Sequence, residues 1–75
     1  MGVRSKIIER AKDVGCISRD VDGTEKLEDL DLDSLDQFEL IIWAEDEFVV
    51  TIDDEAAETF VTLNDVIEFV EKAAA

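Results

Sequence analysis

Asp33-Ser34-Leu35-Asp36-Gln37-Phe38-Glu39-Leu40-Ile41-Ile42-Trp43-Ala44-Glu45-Asp46-Glu47-Phe48 is the stretch on which the fold turns. At about 100° per residue, Leu40, Ile41, Ala44 and Phe48 gather on one side of a helix and define a face for a core. Leu35, Phe38 and Ile42 gather nearly opposite, among Asp36, Glu39, Glu45 and Asp46. A bundle helix needs one buried face, so the second strip is expected at the surface. An apolar strip bordered by charge of one sign fits a docking surface, on which the charges steer a basic partner and the apolar groups hold it. The competing reading is a small bundle that wraps both faces, or surface hydrophobes without a role. Trp43 falls between the two faces and can serve either.

Outward from this helix, the apolar spacing predicts three more. Val3, Ile7, Ile8, Ala11 and Val14 recur at helical spacing, with Gly15 placed as a C-terminal cap. Residues 16–33 form a long connection with Asp22-Gly23 as a turn, and Leu27, Leu30 and Leu32 to pin it to the core. A connection this long without regular structure usually carries function. A short helix is expected around Asp54–Thr59, with Asp53 as its N-cap. A last helix follows, with Leu63, Val66, Ile67 and Val70 on one face and Thr62 as its cap. Phe48-Val49-Val50-Thr51-Ile52 has strand-like composition, but a single strand has nothing to pair with and reads as an extended connection. The expectation is an all-α four-helix bundle with a long first loop and a short third helix, one domain over residues 1–75.

The composition narrows function. With 75 residues, the chain has room for one thin core. Its 21 Asp and Glu against 7 Lys and Arg give a net charge of −14. That sign argues against nucleic acid and membrane phosphates, both polyanions, and favours basic protein surfaces or cations. With no His and a single Cys there is no Cys/His zinc cluster, no internal disulfide and no histidine for acid–base catalysis. Cys16 is expected to be a small, half-buried hydrophobe. Six of the basic residues lie before Leu27, and the stretch Leu27–Glu71 holds 16 acids and no Lys or Arg. The apolar pattern runs through that acidic stretch, so it folds. Ile7-Ile8 is too short an apolar run for a signal peptide or membrane span, and Lys6 stands where a myristoylation pattern needs Ser or Thr. The expected setting is a cytoplasmic, monomeric, non-enzymatic protein.

Ser34 opens the informative helix. Ser34 with Gln37 three residues on forms a capping-box pair, and Asp33 is an equally good cap. A helix N-terminus has unpaired N–H groups and partial positive charge, so a phosphate on a serine there is electrostatically supported. An acidophilic kinase site is disfavoured by Gln37 at the third following position. Asp29-x-Asp31-x-Asp33 copies the opening of an EF-hand loop, but Ser34 replaces its glycine and Leu40 its bidentate glutamate, so no specific metal site is expected. Weak, nonspecific Mg²⁺ or Ca²⁺ binding follows from the charge.

Asp33-Ser34-Leu35-Asp36, with Glu28-Asp29-Leu30 before it, Phe38-Glu39-Leu40 and Glu45-Asp46-Glu47-Phe48 after it, and Ile52-Asp53-Asp54-Glu55-Ala56 and Thr62-Leu63 beyond, resembles the acyl carrier protein family. The likeness covers roughly residues 27–71 and, more loosely, the first helix. It implies that Ser34 accepts 4′-phosphopantetheine from coenzyme A through a phosphopantetheinyl transferase. Acyl intermediates would then travel as thioesters in fatty-acid, polyketide or related lipid metabolism. It implies Asp33, Asp36, Glu39, Glu45 and Asp46 as acidic recognition positions and Leu35, Phe38 and Ile42 as apolar contacts for acyl-transferring and acyl-modifying enzymes with basic patches. Three positions depart from the family: Asp31 stands at a usual glycine, Asp53 at a usual proline, and Trp43 at a usual small or aliphatic residue. The last implies a narrowed acyl cavity or an altered docking face, and together they suggest a pathway-dedicated carrier. An aminoacyl or peptidyl carrier, and an acidic adaptor without a prosthetic group, are the alternatives.

Overall fold

The computed structural model describes residues 2–30 and 32–74; the departure at Asp31 lies outside the described residues. Among the described residues four α-helices form: α1 Val3–Gly15, α2 Ser34–Phe48, α3 Asp54–Glu58 and α4 Leu63–Ala74. The three long helices pack on one another, and the expected all-α bundle with a short third helix is what the chain adopts.

The core is built from the residues whose periodicity marked them. Ile7 and Ala11 of α1, Leu40 and Ala44 of α2, and Leu63, Val66, Ile67 and Val70 of α4 are buried. Ile41 and Phe48 are half-buried and pack against them. No polar or charged side chain is buried among the described residues, so nothing in the core demands a polar partner. The long connection is held as expected: Leu27, Leu30 and Leu32 are all buried.

That connection is more ordered than its sequence suggests. Leu27–Asp29 winds into a 3₁₀ turn, and Lys26 pairs with Thr62 in an antiparallel bridge. Around that bridge Leu27 N–H donates to the Val61 carbonyl at 2.8 Å, and Asn64 N–H to the Gly23 carbonyl at 2.8 Å. The loop is therefore zipped onto the start of α4, a long-range pairing that local spacing does not encode. Arg4 reaches the same seam, donating to Asn64 Oδ1 at 2.9 Å.

The helix ends bring two corrections. Gly15 is the last residue of α1, not its left-handed cap; Cys16 takes that conformation, with φ 54°. A Cβ on Gly15 would meet Leu32 Cδ2 at 3.0 Å, so glycine serves close packing of the loop there. Cys16, expected half-buried, is exposed, because the chain reverses at this point and carries it outward. Thr62 caps α4 as expected. Its hydroxyl accepts from Asp65 N–H at 3.3 Å, and the Asp65 carboxylate accepts from Val61 and Thr62 N–H at 2.9 and 3.0 Å. Those backbone bonds hold the Asp65 carboxyl below its usual range. Asp53 caps α3 by accepting from Ala56 N–H at 2.8 Å.

Candidate functional site

Ser34 is the first residue of α2 and is exposed. The cap beneath it is Asp33, and the box closes with Asp36 rather than as a Ser34–Gln37 pair. Asp33 Oδ1 accepts from Asp36 N–H at 2.9 Å, and Asp36 Oδ2 accepts from Asp33 N–H at 3.4 Å. Gln37 instead donates its amide to the Leu32 carbonyl at 3.0 Å, tying α2 to the end of the loop. This division has a chemical consequence. Since Asp33 satisfies the helix end, the Ser34 hydroxyl is not needed for capping, and no described residue hydrogen-bonds to it. It points from an electropositive helix terminus with its oxygen available to a reagent from outside.

Below Ser34 runs the second strip. Leu35, Phe38 and Ile42 are 76%, 58% and 47% exposed, so the bundle does not wrap both faces of α2. Asp33, Glu39 and Asp46 are exposed beside them, while Asp36 and Glu45 are half-buried. Glu45 carries a task inside the fold: its Oε2 accepts from Ile52 N–H at 3.0 Å and clamps the α2–α3 connection. Trp43 lies in a groove of about 250 Å³ between α1 and α2, with Lys6, Glu9, Arg10, Asp13 and Glu47. The Arg10 guanidinium sits 5.7 Å from its ring centroid, and Phe48 packs edge-on at 5.7 Å. It therefore stands away from the separate cleft of about 200 Å³ one turn along from Ser34, which Leu27, Glu28, Gln37, Phe60 and Val61 line.

Among the described residues no group of acids and cysteine is placed to hold a metal ion, and no helix is long and apolar enough to cross a membrane. Two exposed hydrophobics, Val49 and Val61, were not expected from the sequence. Val49, the C-cap of α2, is 89% exposed; its spacing of seven from Ile42 was the available signal.

The chain as a whole, and the topology of its bundle, match known proteins. The model of the phosphopantetheine attachment site family matches residues 5–70. The chain is also similar to the crystal structure of an acyl carrier protein from Thermotoga maritima, with a TM-score of 0.77 and 29% identity over 95% of this chain and 89% of that one. The chain belongs to the phosphopantetheine attachment family and is a carrier protein for covalent 4′-phosphopantetheine. Proteins of this kind present cargo to enzymes and are not themselves catalysts.

Proposed function

We propose that residues 1–75 form one cytoplasmic acyl carrier domain, modified at Ser34 and serving enzymes of fatty-acid, polyketide or related biosynthesis. The observation that carries the assignment of Ser34 is its exposed hydroxyl, left unbonded because Asp33 and Asp36 cap the helix. The residues present fit the group: a phosphodiester on Ser34 Oγ would sit at the positive end of α2 with open solvent around it. When bound, the arm supplies a mobile thiol on which acyl chains ride as thioesters. The chain's own Cys16 stands at the end of a different helix, α1, and is fixed to the backbone there. Among the described residues no base hydrogen-bonds to the Ser34 hydroxyl, so a phosphopantetheinyl transferase would supply the proton acceptor. Asp33, Leu35, Asp36, Phe38, Glu39, Ile42 and Asp46 form the surface that this transferase and acyl-handling enzymes read, with Glu45 shared between that surface and the loop clamp. The uniformly acidic border of α2 favours acyl enzymes with basic patches over the aminoacyl or peptidyl alternative.

Incubation with coenzyme A and a phosphopantetheinyl transferase should add about 340 Da to the intact mass. Ser34→Ala should gain nothing. Because the hydroxyl makes no internal bond, that variant should melt within about 0.5 kcal/mol of wild type. Wild-type protein that stays unmodified beside an actively modified carrier would favour the adaptor alternative.

A further inference from the structure

Gln37 holds the two carbonyls that precede Ser34. Its backbone N–H donates to the Asp33 carbonyl at 3.0 Å, and its side-chain amide to the Leu32 carbonyl at 3.0 Å. The peptide between Leu32 and Asp33 is thereby gripped at both ends, because its N–H donates to Asp36 Oδ2. That second bond is long, at 3.4 Å, so Gln37 is the firmer of the two holds. Leu32 and Gln37 stand where a hydrophobic staple would join the residue before the cap to the fourth residue of the helix. Here a hydrogen bond takes the place of the apolar contact and fixes the angle at which the chain enters α2.

The same side chain has a second option. Ser34-Leu35-Asp36-Gln37 carries the S-x-x-Q pattern of a capping box. With the helix started one residue later, Ser34 Oγ would accept from Gln37 N–H, and Gln37 Oε1 from Ser34 N–H. The serine oxygen would then be turned onto its own helix. The two arrangements use opposite ends of the side chain, Nε2 as donor in one and Oε1 as acceptor in the other. In the structure the amide is committed to Leu32, and Asp33 Oδ1 takes the Asp36 N–H. Ser34 Oγ is left without a partner among the described residues. Leu32 is buried, so the group that draws the amide away from the box is itself fixed in the core.

We propose that Gln37 is a positioning residue for transfer to Ser34: its bond to Leu32 keeps Asp33 as the cap and the serine oxygen out of the competing box. The proposal rests on the carrier reading of Ser34. In the transfer, Ser34 Oγ bonds to the pantetheine-bearing phosphorus of coenzyme A as the pyrophosphate P–O bond to the nucleotide half breaks. The hydroxyl proton passes to a base of the transferase. Gln37 touches none of these atoms; it sets the fraction of molecules that present a free oxygen.

Gln37→Glu separates the two options, since it keeps the acceptor of the box and removes the donor to Leu32. Gln37→Lys does the reverse, and Gln37→Met has neither. All three replacements are unbranched helix formers, and a carboxylate near a helix start is favourable. Gln37→Glu should therefore melt close to wild type by circular dichroism. Transfer is followed by intact mass in single turnovers, with coenzyme A and a phosphopantetheinyl transferase in excess, which separates the transfer rate from docking. At saturation Gln37→Glu should be slower by about threefold or more, the population shift that exchanging one hydrogen bond for another allows. Gln37→Lys should keep the wild-type rate, and Gln37→Met should fall between. Exchange of the Asp36 N–H should quicken in Gln37→Glu as its bond to Asp33 opens. In an Asp33→Ala background, where the competing cap is gone, Gln37→Glu should slow transfer no further.

Equal rates for Gln37→Glu and wild type would overturn the proposal. So would equal slowing in Gln37→Lys, or slowing that persists in the Asp33→Ala background, which would make the charge at position 37 the cause. A changed half-saturation with an unchanged rate would make Gln37 a docking residue and overturn it too. Failure of wild-type protein to be modified would overturn the carrier reading as well, whereas normal modification at equal rates removes only the role of Gln37.

Discussion

Replacing Asp33 separates two jobs that fall on one carboxylate. Its Oδ1 accepts from Asp36 N–H at 2.9 Å, a full N-cap bond whose loss costs about 1 kcal/mol. Alanine also removes a negative charge from the positive pole of α2, about 0.3–1 kcal/mol more. Part of that second contribution is returned because the chain carries −14 and one acid fewer eases its self-repulsion. Asp33→Ala should therefore destabilise by about 1.5 kcal/mol, which lowers the melting temperature of a domain this size by about 6–12 °C. Asp33→Asn keeps the oxygen in place and should lose only a few tenths, about 0.3 kcal/mol. The reciprocal bond from Asp33 N–H to Asp36 is long, at 3.4 Å, so Asp36→Ala should cost about 0.5 kcal/mol or less. Urea denaturation and thermal melting followed by circular dichroism give all three values. If asparagine proved as damaging as alanine, charge rather than the cap would be stabilising the helix. If Asp36→Ala matched Asp33→Ala, the weak arm of the box would have been underestimated, and with it the account of why Ser34 is left free.

Glu45→Ala should destabilise by about 1.5–3 kcal/mol, since it removes a charged acceptor from the half-buried Ile52 N–H. Glu45→Gln should recover most of this, and amide exchange at Ile52 should quicken in the alanine variant alone. A loss no larger than that of the exposed neighbour in Asp46→Ala would show that the clamp contributes nothing. The response to pH should have two limbs. Mild acidification from neutrality should raise the melting temperature by relieving repulsion in a chain of net charge −14, and Mg²⁺ at neutral pH should do the same. Below about pH 4 stability should fall. Asp22 and Asp65 are held below their usual 3.8, Asp22 mainly by the Thr24 backbone N–H. Glu25 is held below 4.5, mainly by Arg19. Groups with lowered values stabilise the fold above the unfolded-state value and lose that contribution as pH drops through the folded one. Melting scanned over pH checks both limbs, and a flat response to both acid and Mg²⁺ would refute strong self-repulsion.

Apolar spacing alone was enough to define the four helices, their core faces and the placement of Ser34 at a helix start. Each of these rests on spacing within one element: Leu63, Val66, Ile67 and Val70 share a face wherever α4 lies, and all four are buried. The exposure of Leu35, Phe38 and Ile42 followed from the same geometry, because a helix in a small bundle has only one side to bury. Packing in three dimensions made the choices between near-equivalent local partners and the contacts between distant segments. Ser34 and Asp33 compete for one cap, and the bond to Asp36 settles it for Asp33. Trp43 lay between two faces until α1 brought Arg10 over its ring. The bridge of Lys26 to Thr62 and the clamp of Glu45 on Ile52 join residues that no periodicity relates. Cys16 and Val49 take positive φ because the chain must leave α1 and α2 in the directions that packing requires, a demand set by where the next helix lies and not by the residue at the turn.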